Sequence, residues 1–485
     1  MWAGRLAINI LPDNVLLHIF FFDGLVYQHQ GPFAAIHFHG RDLADRLLRL
    51  PWKWYRLAHV CRRWRSIIFA SPNFLDLRLV CLPGTRLELT GVWPPLPIII
   101  TNAVYNGRNL KDFNPDVAIV HPSRIREINL LGISRSQLQR LVTRMEEQFP
   151  ALMHLVLSYK AHRYDVPALP DGFLGGSAPR LQYFGLCRIP FPALPRFLLS
   201  ATDLVELILT KIPHSGYISP EAIVTGLAVM ANLKCVVIGF HSPLSRPDRT
   251  RRRPPPPIRT TLPALTHFEF TGVSEYLEDL VALIDAPLLD FMWIFFFHQL
   301  IFDNPQLAQF MRRTTIFHAV SEAHVGLDDS GVRVGYSPPI WADERYTLKI
   351  SCRELDWQLS ALAQVLTSFF PSICAVEHLY MYETPPSPQW RDDIENMQWL
   401  EVFEPFTAVK NIYLTKAFAP HIARALQELV ESRMPDVLPA LQNIFLEGYD
   451  PLGPIPEGIG KFVAARQLSG HAMAVSLWER GQNGD

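Results

Sequence analysis

Few residue groupings in this sequence could support catalysis, and each lacks a member that its chemistry requires. Gly453–Lys461 reads GPIPEGIGK. A phosphate-cradling loop of the form G-x4-G-K needs glycine at 455, where Ile455 stands. His37-Phe38-His39 has no cysteine partners at zinc spacing, and no H-E-x-x-H occurs. No G-x-S-x-G elbow is present, nor a G-x-G-x-x-G opening a helix after a strand. Asp392, Asp393 and Glu395 suit a helix start, where the dipole stabilises acidic side chains. The chain is therefore expected to be no enzyme and to hold no cofactor and no metal.

What the sequence does offer is side chains for contact. From about residue 120 a short pattern, apolar-x-x-apolar-x-apolar, returns at Ile125, Leu152, Leu181, Leu204, Leu233, Leu265, Leu288, Val376, Val409 and Leu441. The start-to-start spacings are 27, 29, 23, 29, 32, 23, 88, 33 and 32 residues. Periods of about 20–50 residues mark stacked repeats. The gap of 88 is close to three units of 29, with weaker strands at Ala323–Leu327 and Tyr346–Ile350. Each pattern reads as a strand, so alternate residues face opposite sides. Leu155 and Leu157 then point inward, and His154, Val156 and Ser158 face the open side. The same arithmetic puts Glu206, Ile208 and Thr210, then His267, Glu269 and Thr271, on that side. In the last three units it brings out His378, Tyr380 and Tyr382, then Asn411, Tyr413 and Thr415, then Asn443, Phe445 and Glu447. Aromatic side chains carry much of the energy of protein interfaces. His378, Tyr380, Tyr382, Asn411, Tyr413, Asn443 and Phe445 are thus the candidate substrate-recruiting patch. The alternative is that these rings pack under the C-terminal tail.

The elements between the strands are helical. Ser134–Phe149, Ser219–Ala231, Leu355–Phe369 and His421–Ser432 are amphipathic. Proline is abundant, 41 of 485 residues, or about 8.5% against about 5% on average. It recurs just before the strands (Pro150, Pro179, Pro263, Pro287, Pro439), where no ladder hydrogen bond is needed. Two segments break the pattern. The arginine- and proline-rich stretch 241–263 reads as a surface loop, and 450–485, with a helix at Gly458–Gln467 and a strand at Ala472–Trp478, as a cap on the last repeat.

Composition narrows the partners. With 45 basic and 46 acidic residues the net charge is −1, which speaks against nucleic-acid binding. The apolar run Leu288–Phe302 is shorter than the ~20 residues of a membrane span and contains Asp290 and His298. Six scattered cysteines without a C-x-x-C pair suit reduced thiols and a cytoplasmic or nuclear protein.

The first eighty residues differ in kind. Pro12 and Asp13 suit a first helical turn, and Val15, Leu16, Ile19 and Phe20 follow on one helical face. Over Trp54–Ala70, Leu57, Val60, Cys61, Trp64, Ile67 and Ile68 form a single apolar stripe, and Ser71-Pro72 ends the helix. A Leu-Pro pair opening an apolar helix, then L-x-x-V-C-R-x-W-R, resembles an F-box, the module that docks substrate receptors onto the Skp adaptor of cullin–RING ubiquitin ligases. Carried over, the adaptor surface is Leu11, Pro12, Val15, Leu16, Ile19, Leu57, Val60, Cys61 and Trp64. The resemblance departs at an insertion of about 23–50, which lengthens the module and unsettles its middle helix.

The rest resembles an irregular leucine-rich repeat, without asparagine at the usual position after the strand. The expected architecture is α/β: an N-terminal helical F-box over 1–80 and an irregular leucine-rich-repeat-like β/α solenoid over 81–485. The resemblance implies a substrate receptor of a Skp–cullin–F-box ubiquitin ligase, which holds a target protein near the conjugating enzyme. The alternative is a repeat-based protein-interaction scaffold with no ubiquitin role. Neither nucleic acid nor membrane is an expected partner.

Overall fold

The computed structural model describes residues 11–25, 57–71, 79–81, 96–102, 119–160, 166–248, 258–297, 302, 304–314, 320–337, 346–352, 355–369, 373–386, 396–431, 437–448 and 455–478. Most of the insertion (26–50) and the core of the arginine–proline loop (249–257) lie outside the described residues. The chain divides into two compact units, Met1–Leu207 and Ile208–Asp485.

Among the described residues of the first unit, helices α1 (Asp13–Leu25) and α2 (Arg62–Ala70) precede the strands. Pro12 opens α1, its carbonyl accepting from the Val15 and Leu16 amides. The continuous helix expected over Trp54–Ala70 is not formed. A turn at His59-Val60 interrupts it, and Cys61, in extended backbone, caps α2 by accepting the Trp64 amide through Sγ at 3.4 Å. Because the turn breaks the helix between Ala58 and Arg62, Val60 leaves the stripe and is 58% exposed. Trp64, Ile67 and Ile68 pack with Leu16 and Phe20 in one small core, the Phe20 and Trp64 rings 4.7 Å apart. Arg63 ties the two helices by donating to Asp13 at 2.6 Å. Strands β1 (Leu79–Cys81), β2 (Ile98–Thr101), β3 (Ile125–Ile133), β4 (His154–Tyr159) and β5 (Tyr183–Cys187) then pair in chain order, all parallel. Leu155 and Leu157 are fully buried, as period-2 reading expects. Helix α3 (Arg135–Arg144) starts at a capping box, Ser134 with Gln137, and α4 (Leu194–Leu198) follows β5.

The strand β6 (Glu206–Ile212) spans the division point. The second unit continues with α5 (Pro220–Leu227), β7 (Cys235–Phe240), β8 (Thr260–Thr261), β9 (His267–Gly272), α6 (Ser274–Val281), β10 (Ile284–Asp285), β11 (Phe291–Phe296) and α7 (Pro305–Arg313). Then come β12 (Glu322–Asp328), β13 (Gly331–Ser337), β14 (Tyr346–Ser351), α8 (Leu355–Phe369), β15 (His378–Glu383) and α9 (Asn396–Phe403). The unit ends with β16 (Asn411–Leu414), α10 (Ala419–Glu431), β17 (Asn443–Glu447), α11 (Glu457–Leu468) and β18 (Ala474–Trp478). Its main sheet runs β7-β9-β11-β14-β13-β12-β15-β16-β17-β18, while β8 and β10 pair separately. In this unit the strands are mostly parallel, and most of the described ones in the main sheet are followed by a helix.

The prolines act one step earlier than the strand itself. In Phe149–Leu152, Ala178–Leu181, Leu262–Leu265, Ala286–Leu289 and Leu438–Leu441, proline is the second residue of a four-residue turn. In each, the fourth residue, a leucine, donates its amide to the first residue's carbonyl at 3.1–3.3 Å. Proline presets the backbone for that position, and every one of these leucines is buried. The next residues hang on the preceding unit: Lys410 and Asn411 both donate to the Glu377 carbonyl, and Gln442 and Asn443 both donate to that of Lys410.

The 88-residue gap is not three strand–helix units. Its weak strands are β12 and β14, and between them β13 runs antiparallel to both. The hairpin turns through Asp329-Ser330. Asp328 Oδ1 accepts from the Ser330 amide at 2.8 Å and from its hydroxyl at 2.6 Å. Gly331 is required because a Cβ there would lie 2.1 Å from the Ile350 carbonyl oxygen. The D-D-S-G stretch is a turn signal that the repeat spacing masks.

Candidate interaction surface

The register of the second unit aligns open-face residues into rows. His324, Tyr380, Tyr413 and Phe445 are successive register partners on β12, β15, β16 and β17. Their rings stack nearly parallel: His324 on Tyr380 at 4.7 Å and 6°, Tyr380 on Tyr413 at 4.2 Å and 11°, Tyr413 on Phe445 at 4.6 Å and 8°. The ring spacing follows the ~4.8 Å strand spacing, so the stack is a direct product of parallel pairing. All four rings are half-buried. Trp478 crosses the stack, 6.0 Å from Tyr380 and 5.7 Å from Tyr413, at 56° and 67°. Burial first, then the Glu322 carboxylate nearby, raises the Tyr380 phenol above its ordinary range. The Tyr413 phenol is raised as well, again by burial first.

A polar row lies beside the rings. Asn443 Nδ2 donates to Asn411 Oδ1 at 2.8 Å, and Asn411 Nδ2 lies 3.2 Å from His378 Nδ1, which is 3.3 Å from the Tyr413 hydroxyl. The asparagines thus sit at the strand starts and bond one another sideways. Below them Lys410 donates to Glu377 at 2.7 Å, which lowers the Glu377 pKa through that hydrogen bond and charge.

Six of the seven patch residues come together as the alternation requires. Tyr382 does not. It is 6% exposed and lies over Gly326, where a Cβ would meet its ring at 3.1 Å; its hydroxyl accepts from Arg333 Nη2 at 2.6 Å. The hairpin brings a glycine and an arginine beside a tyrosine that period-2 reading alone places in the open. Two participants, His324 and Arg333, are absent from the sequence reading; Trp478 belongs to the C-terminal tail, whose packing over these rings is the stated alternative. The alternation Ala323, Val325, Leu327, all fully buried, carries the signal for His324. No local pattern marks Arg333. Farther along the same face, His267 stacks on Phe291 at 4.2 Å and bonds Glu269 at 2.9 Å.

The nine N-terminal residues divide. Leu16 and Trp64 are buried in the helical core, and Leu11, Leu57 and Cys61 are half-buried against it. Pro12, Val15, Ile19 and Val60 are exposed. Among the described residues no group of three or more His, Cys, Asp or Glu side chains could hold a metal ion, and no helix is long and apolar enough to cross a membrane. None of the six cysteines is disulfide-bonded. A cavity between Thr261, Asp285, Phe310 and Arg313 is bridged by its own ion pair, Arg313 to Asp285 at 2.7 Å.

No protein-family model matches the chain, and no curated protein does. Among solved structures, the leucine-rich repeat-containing protein LegL7 from Legionella pneumophila is similar at 15% identity and a TM-score of 0.28, over 77% of this chain and 98% of that one. The strand registers by themselves define a mostly parallel sheet built of repeating strand–helix units.

Proposed function

We propose that this chain is a protein-interaction scaffold whose recognition surface is the ring stack of the second unit. The observation that carries this reading is the row His324–Tyr380–Tyr413–Phe445, half-buried and stacked at 4.2–4.7 Å. Rigid aromatic side chains present a large contact area at little entropic cost, and such residues dominate interface energetics. The mechanism is tethering: bound proteins are held at high effective concentration, and no catalytic residue is needed. The test is Tyr380→Ala with Tyr413→Ala in the full chain. Proteins that co-purify with the unsubstituted chain are expected to be lost. Unchanged recovery of all of them would remove the rings from the binding surface.

One observation favours the narrower reading, a substrate receptor that docks the Skp adaptor, and through it a cullin, by an F-box. Val15, Ile19 and Val60 are 39%, 42% and 58% exposed, beside a core that among the described residues comprises seven buried side chains. Apolar helix surface of this kind is stabilised by a partner's helices, at about 1.5–3 kcal/mol for each side chain fully buried. Ile19→Asp with Val60→Asp is expected to abolish capture of a purified Skp-type adaptor, while the tyrosine variants leave it intact. Retained capture by the aspartate variant, or no capture by the unsubstituted chain, eliminates the ubiquitin-ligase role.

A further inference from the structure

Strand β18 is held differently from its neighbours. On β15, β16 and β17 the inward positions are Leu379, Met381, Ile412, Leu414, Ile444 and Leu446, all at most 4% exposed. The register partners of the last two on β18 are Val475 and Leu477. Val475 is half-buried and Leu477 is 39% exposed. No residue of β18 is buried. Its backbone nevertheless pairs in parallel with β17 along its whole length, from Asn443↔Ala474 to Glu447↔Trp478. Among the described residues no strand pairs with its other edge. On the open face its anchor is Trp478, which reaches past β17 to lie on Tyr380 and Tyr413.

These features describe a strand-receiving edge with an aromatic seat, filled by a segment that is weakly fixed otherwise. We propose that Ala474–Trp478 is a removable strap: it covers the recognition rings, and an extended partner segment with an aromatic side chain at the Trp478 position takes its place beside β17. The inference rests on the reading of the rings as the recognition surface. The chemistry of the occupant follows from what the strap itself supplies. Main-chain hydrogen bonds to β17 can be made by any incoming strand, so exchange preserves them, and discrimination falls to the side chain over Tyr380 and Tyr413. A strand with no buried side chain also belongs to the low-stability end of a fold, where local opening is frequent.

Two measurements on the full chain decide the matter without a partner. By hydrogen exchange, the amides of 474–478 are expected to exchange at least tenfold faster than those of 443–447; equal protection overturns the strap, whatever the variants do. By fluorescence anisotropy, a labelled synthetic peptide HAMAVSLW, the sequence of His471–Trp478, is expected to bind Trp478→Ala at least tenfold more tightly than the unsubstituted chain. Adding Tyr413→Ala to Trp478→Ala is expected to remove that gain. A peptide that binds Trp478→Ala no better than the unsubstituted chain, or binds equally with Tyr413 removed, overturns the proposal. A fixed strap together with loss of partners in the tyrosine variants would leave the scaffold reading standing and sink this one alone.

Discussion

Two stretches of the second unit contribute to one open face and are built in opposite ways. In β15–β17 each strand is parallel to the next, equivalent residues fall in register, and like stacks on like: asparagine on asparagine, ring on ring. In β12–β14 the chain doubles back, and on the open face the register sets unlike residues side by side: Gly326 against Arg333, and Arg333 against Lys349. Two cations directly across a sheet repel. Here Lys349 is held by Asp328 at 2.7 Å and Arg333 by the Tyr382 hydroxyl. Parallel repeats therefore build a surface by summation, and a substitution in one strand subtracts one member. The hairpin builds by particular contacts, each with its own steric or charge requirement, and should fail more abruptly.

Gly331→Ala puts that contrast to its hardest trial. Its Cβ would fall 2.1 Å from the Ile350 carbonyl oxygen, and backbone cannot yield as a flexible side chain can. A loss of about 3 kcal/mol in urea unfolding is expected, the upper end for overpacking; a loss under about 1 kcal/mol would show the hairpin to be as tolerant as the repeats. Tyr413→Ala removes an inner ring of the stack, which touches Tyr380, Phe445 and Trp478. About 2 kcal/mol is expected, from aromatic pairs at about 0.5–1.5 kcal/mol each, with Tyr413→Phe restoring most of it. Failure of phenylalanine to restore it would mean that the hydroxyl near His378 matters more than stacking.

The smallest effect is a charge effect. Burial would raise the Asp328 pKa, but the hydrogen bonds from Lys349 and Ser330, with the Lys349 charge, outweigh it and hold the carboxyl below its ordinary 3.8. A depressed folded-state pKa contributes stability that is present above the unfolded value and lost as pH falls through the folded one. The pair is partly exposed, so Asp328→Asn should cost about 0.5–1 kcal/mol near pH 7. The difference should shrink as pH falls through that depressed folded-state pKa, where the parent carboxyl also becomes neutral. A cost that persists in acid would assign the effect to turn geometry instead of charge.

How much of this is legible in the sequence depends on the range of the interactions involved. The repeat starts at Leu152, Leu181 and Leu441, helix Leu355–Phe369, and the facing of Tyr380, Tyr413 and Phe445 all follow from periodicity and turn chemistry within a few residues. The helix over Trp54–Ala70 is misread because a clean apolar stripe carries no information about backbone breaks; Cys61 ends the stripe's continuity by acting as a cap. Tyr382 is misread because its burial is decided by Gly326 and Arg333, 56 and 49 residues earlier.

By itself, then, the sequence determined the repeat rhythm, the inward leucines and the side of each strand on which the rings stand, because side-chain alternation and proline turns are local properties of the backbone. Only the tertiary structure decided that β13 reverses, that the rings touch face to face, and that Trp478 lies across them. Those outcomes depend on which strand becomes whose neighbour, and that choice is made by packing between residues far apart in the chain.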